Sequence, residues 1–190
     1  MTCEVITLAD GRRLRWHEFG DAGGSPVLYT AGTPVSGLGG AAYDEAARAA
    51  GLRWVSPDKP GQVTAMRREL ASPARRERSL HRDLAAAPEA VHAALRIEYE
   101  AVANALRPGS RAAVQELALL KRPLAFPLSE VETPVHLWHG ALDRNAPIAY
   151  ARRLARELPD ATLHIGDSSG HDIGHDRSDE IMSVLASHMK

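Results

Sequence analysis

Two stretches decide the fold of this chain: Pro134–Asp143, PVHLWHGALD, and Thr162–His171, TLHIGDSSGH. Each is a short apolar run closed by a glycine and a polar turn, as a buried parallel strand is. Between them Pro147–Leu158 reads as a helix, with Pro147 in its first turn. The order is therefore strand (Val135–Trp138), helix, strand (Thr162–Ile165), and the helix is long enough for the crossover that parallel strands require. An acid, Asp143, follows the first strand, and a histidine, His171, follows the second. Parallel strands place both at one edge, where open α/β sheets build their sites. An acid there can orient an imidazole and stabilise its cation, while the imidazole moves a proton.

The same alternation extends outward. Ser178 caps a helix from about Asp179 to His188. Toward the N-terminus, Val5–Leu8, the run holding Leu14, Trp16 and Phe19, Pro26–Thr30 and Leu52–Ser56 all read as strands. Ala9-Asp10-Gly11 and the Gly20–Gly24 cluster are turns, and Ala41–Ala50 is a helix stopped by Gly51. From about Pro73 to Lys121 the chain is rich in Ala, Arg, Glu and Leu. Leu80 and Leu84 share one helical face, and Val91, Leu95, Val102 and Leu106 another. Pro88 divides two helices, Arg107-Pro108-Gly109 ends the second, and Ser110 caps a third. These stripes read as packing on their own domain, with a partner helix as the alternative. Strands alternating with helices predict an α/β fold with a mainly parallel sheet.

Composition narrows the function. The 190 residues form one expected domain: strands over 1–61, a helical middle over 62–130, strand–helix units over 131–190. A net charge of -1 gives no reason to expect nucleic acid or an anionic membrane as partner. No signal peptide or membrane-spanning run is visible. The single Cys3 excludes an internal disulfide framework and fits a cytoplasmic, reducing compartment.

Four segments together carry a resemblance to the α/β-hydrolase superfamily. Val27–Gly37, VLYTAGTPVSG, is similar to that family's third strand and HGTP oxyanion loop, with Ala31 in place of the usual histidine. Leu52–Gly61, LRWVSPDKPG, resembles its fourth strand and DRPG turn, with Lys59 for arginine. Pro134–Asp143 resembles the strand delivering the catalytic acid, and Thr162–His171 the loop carrying the catalytic histidine. The match covers roughly residues 3–61 and 110–188. It implies hydrolysis of an ester or related bond of a small-molecule substrate, by a Ser-His-Asp mechanism without metal or organic cofactor.

The chain departs from the family where the nucleophile should be. No G-x-S-x-G strand-turn-helix follows the fourth strand. Gly61 runs straight into Gln62 and Val63-Thr64-Ala65-Met66, which looks like the strand after the nucleophile helix, as if an internal deletion or a gene fragment had removed the elbow. Four residues separate Asp58 from Val63 and span at most ~14 Å, whereas a parallel crossover needs a dozen or more. Val63–Met66 is therefore expected not to pair as a parallel neighbour of Leu52–Ser56. The gap predicts an exposed strand edge beside Val27–Tyr29, open to a second copy or a partner chain.

The remaining candidates follow from this frame. Gly32 and Thr33 are oxyanion-hole candidates, since the Thr33 amide can donate where Pro34 cannot. Gly166–Gly170, GDSSG, fits the elbow pattern but lies inside the histidine loop, one residue before His171. Ser168 and Ser36 are therefore weak nucleophile candidates. His171 and His175 stand four apart, but Gly170 and Gly174 argue against a zinc-binding helix there. His136 and His139 flank Trp138 and read as alternate packing or solvent exposure rather than ligation. The run Arg67, Arg68, Arg75, Arg76, Arg78 interleaves with Glu69, Glu77 and Asp83 and reads as a solvated face. The expectation is a shortened α/β-hydrolase-like protein with Asp143 and His171 in triad positions and impaired catalysis. A hydrolase using a non-standard or partner-supplied serine and a non-catalytic binding protein are the alternatives.

Overall fold

A computed structural model of the chain describes residues 2–11, 13–32, 35–58, 73–86, 92–105 and 111–189. These fall into two compact units, Met1–Lys121 with Asp179–Lys190, and Arg122–Ser178.

The first unit is built on four strands: β1 (Thr2–Thr7), β2 (Arg13–Gly20), β3 (Ser25–Leu28) and β4 (Leu52–Pro57), in the order β1-β2-β4-β3. β1 and β2 form an antiparallel hairpin whose turn needs Gly11 at a φ of 82°, a conformation open to glycine. β4 runs antiparallel to β2 and parallel to β3. Along β4 burial alternates, so Leu52, Trp54 and Ser56 point inward. Phe19, Val27, Tyr43, Ala47, Leu52, Trp54 and Met182 make the core, with Tyr29, Tyr43 and Trp54 in mutual ring contact. Each large side chain buried this way contributes about 1.5–3 kcal/mol.

The expected single helix at Ala41–Ala50 is two pieces. A 3-10 segment covers Gly37–Tyr43, and α1 covers Asp44–Ala49. The glycines explain the tighter winding: a side chain at Gly37 would strike the Ser56 carbonyl, and one at Gly40 the Ser56 side chain. Gly51, at a φ of 67°, ends the helical stretch as expected. The middle is helical: α2 (Pro73–Ala86), α3 (His92–Ala105) and α4 (Arg111–Leu120). α2 packs on α3, and α3 on the 3-10 segment. Leu84 and Val102 are buried, as their stripes predict. The features expected at Val63–Met66, Arg67, Arg68, Pro88, Val91 and Leu106–Ser110 lie outside the described residues.

The second unit carries the opening motifs. β5 (Val135–Gly140) and β6 (Ala161–Gly166) pair in parallel, and α5 (Ile148–Glu157) connects them and packs on both. A one-turn helix, α6 (Ile173–Asp176), precedes α7 (Ser178–Ser187), whose Met182 lies in the first unit's core. α6 corrects the expectation of no helix around His175. Gly174 is tolerated because the turn is so short, and His171 lies before it. Of the four strand pairs, two are parallel and two antiparallel, so the architecture is a mixed α/β one flanked by helices.

Candidate active site

β5 and β6 end in register, Gly140 opposite Gly166. The two loops that follow are laced by main-chain bonds: Ala141 N–H donates to Gly166 O at 2.9 Å, and Leu142 N–H to Ser169 O at 3.0 Å. Gly140 permits this approach. A Cβ there would sit 2.1 Å from Gly170 O and 2.3 Å from Ser169 O. The lacing brings Asp143 and His171 together, with His171 Nδ1 2.9 Å from Asp143 Oδ2. The carboxylate accepts, so Nδ1 carries the proton.

The two partners differ in exposure. The Asp143 side chain is 5% exposed and that of His171 55%. Asp143 Oδ1 accepts the Asn145 and Ala146 amides at 2.7 and 3.0 Å. Burial pushes the Asp143 carboxyl upward in pKa, but the Ala146 amide, the His171 ring, the Asn145 amide and the charge on His171 outweigh it. Together they hold the carboxyl at about 2. A carboxylate fixed in its ionised form, with an imidazole docked on one oxygen, orients that imidazole and stabilises its cation. No hydrogen bond to His171 Nε2 is found among the described residues, and the ring is exposed.

Of the other candidates, Ser168 shares the second unit with this pair. Ser168 is exposed, and no hydrogen bond links it to His171 among the described residues; Ser169 beside it is buried. Ser36 lies in the first unit, 3% exposed, with its hydroxyl unpartnered. Gly32 is exposed, and its carbonyl accepts the Val35 amide at 2.8 Å. Thr33 lies outside the described residues. No cluster of three or more His, Cys, Asp or Glu side chains suited to a metal is found among the described residues. No helix among them is long and apolar enough to cross a membrane.

No family model and no curated protein matches the sequence. Solved structures do match. The chain superposes on an α/β hydrolase fold protein from Nakamurella multipartita with a TM-score of 0.70 at 16% identity, covering 99% of each chain. It superposes on an esterase from Exiguobacterium antarcticum with a TM-score of 0.68 at 14% identity, covering 97% of this chain and 98% of that one. The chain has the α/β-hydrolase fold. A serine hydrolase involved in carbazole degradation is a third such structure, at a TM-score of 0.63 and 16% identity over 98% of this chain and 97% of that one. In this α/β-hydrolase fold, the resemblance carried by Pro134–Asp143 and Thr162–His171 corresponds to a formed acid–histidine contact.

Two polar groupings went unread in the sequence. His136 Nδ1 lies 3.0 Å from His164 Nε2, and Trp138 stacks on His164 with ring centroids 4.4 Å apart. The β5–β6 register sets Trp138 opposite His164, so this pairing appears only once the register is known. In the first unit, Asp58 Oδ1 accepts the Gly37 amide at 2.8 Å, and Oδ2 accepts Arg15 Nε at 2.5 Å. Asp58 thereby ties the segment after Gly32 to β2. Its place in the sequence motif Asp58-Lys59-Pro60-Gly61 was the available signal.

Proposed function

We propose that this α/β-hydrolase-fold protein cleaves ester or related acyl bonds of a small molecule slowly, with Asp143 and His171 as its working pair and no nucleophilic serine seated against them. The supporting observation is the 2.9 Å Asp143–His171 contact with Nε2 left open. In this reading Nε2 takes a proton from water as the water oxygen attacks the acyl carbon. The Nδ1 proton stays on the ring, hydrogen-bonded to Asp143, and the imidazolium then gives its Nε2 proton to the departing alkoxide. The lone, exposed Cys3 supports a reducing, cytoplasmic setting.

The test is a p-nitrophenyl ester assay combined with a fluorophosphonate probe. Slow turnover, lost in His171→Ala, without stoichiometric probe labelling, is the expected result. Stoichiometric labelling mapped to Ser36 or Ser168 would favour the competing reading of a full serine hydrolase. Labelling only in the presence of an added protein would favour a partner-supplied serine. Absence of any turnover in the wild type would favour a non-catalytic binding role. Self-association is a second part of the reading. β3 pairs only with β4 among the described residues, and its Leu28 is 70% exposed.

A further inference from the structure

We propose that His139 is a positioning residue for the Asp143–His171 pair, a role that rests on the hydrolytic reading above. His139 sits near the end of β5, four residues before the acid, and its side chain is 12% exposed. Its Nε2 lies 3.0 Å from the carbonyl oxygen of Ala146. A carbonyl only accepts, so Nε2 carries a proton and donates. The Ala146 amide on the same residue donates to Asp143 Oδ1. Ala146 is thus gripped on both sides, its N–H by the acid and its C=O by His139. Pro147 follows it, brings no N–H of its own, and begins the approach to α5.

The consequence reaches the acid's second oxygen. With Asn145 and Ala146 held on Oδ1, Oδ2 is turned to His171. His139 Nε2 is 3.9 Å from that same Oδ2, too far for a hydrogen bond, so it leaves Oδ2 to His171. Loss of the His139 donor leaves a half-buried carbonyl without its side-chain partner and frees the 144–146 turn to rotate. Asp143 then loses the fixed orientation that sets the His171 tautomer.

The experiment follows the His171 Nδ1 proton by 15N-edited NMR in the intact chain, with circular dichroism on each variant. In the wild type this proton, on Nδ1 and hydrogen-bonded to Asp143, should exchange slowly with water. In His139→Ala it should exchange about tenfold faster, a loss of about 1.4 kcal/mol in the closed geometry. His139→Gln places an amide N–H near the position of Nε2 and should restore slow exchange. His139→Asn, whose amide falls short, should not. Wild-type exchange in a folded His139→Ala overturns the proposal. Should His139→Ala unfold, equal exchange in the Gln and Asn variants overturns it and a difference between them supports it. This readout needs no turnover, so an inactive wild type would count against the hydrolytic reading alone.

Discussion

At Gly140 a single hydrogen atom in place of a side chain decides whether the acid and the histidine meet. A methyl group there would overlap two carbonyl oxygens of the opposite loop, which are main chain and cannot swing aside. Gly140→Ala should therefore destabilise the second unit by about 1–3 kcal/mol. It should also lengthen the Asp143–His171 contact, checked by urea denaturation and by the His171 Nδ1 proton signal. Asp143→Asn keeps the shape but removes the charge and offers an NH2 group where Oδ2 accepted. The expected outcome is a shift of His171 toward the Nε2-protonated tautomer, read from its 15N shifts, and loss of ester turnover, because Nε2 can then no longer accept a proton. Both candidate residues were legible in the sequence, since each follows a strand and ends a recognisable motif. The need for Gly140 was not, because it arises from a loop about thirty residues away.

Elements carry the next lesson. The strands and helices expected from periodicity were found, with ends displaced by a few residues, because hydrophobic alternation marks where a chain is buried rather than where its ladder stops. The exceptions were local. Glycines at 37 and 40 let the chain press against β2 and β4, which converts the start of an expected α-helix into a 3-10 segment. Asp172 and Ile173 open a turn of helix that Gly170 and Gly174 had argued against. Among the described residues β3 is an edge strand of only four residues, Ser25–Leu28. Its unpaired edge leads us to expect concentration-dependent self-association. Light scattering across micromolar concentrations should show a dimer, and replacing Leu28 with lysine should weaken it. A monodisperse monomer with protected β3 amides by hydrogen exchange would count against the edge as an interface.

Over the whole molecule, buried ionisable groups set the response to acid. Burial pushes His17 below the ordinary histidine value, helped by Arg15 and opposed by Asp58. Burial lowers His175 as well, against the pull of Asp172 and Asp176. In both, the unfolded chain takes up its proton first, near pH ~6.5. Their contribution is therefore complete above that value and declines as pH falls below it toward the folded-state values. Asp143 acts lower: its contribution is complete above about 3.9 and is lost as pH falls through about 2. Urea midpoints should thus fall in two stages on acidification, and His17→Leu should flatten the first stage while leaving the second. The sequence by itself determined the α/β class, the strand–helix–strand order of residues 134–171, and the placement of Asp143 and His171 after consecutive strands. Apolar periodicity and turn glycines are local properties, which the order of residues records directly. Tertiary structure alone decided that the second strand pair lies in register, that Gly140 admits the opposing loop, and that Asp58 holds the segment beside it. Those outcomes depend on atoms brought within about 3 Å from distant parts of the chain, and no local pattern encodes such distances.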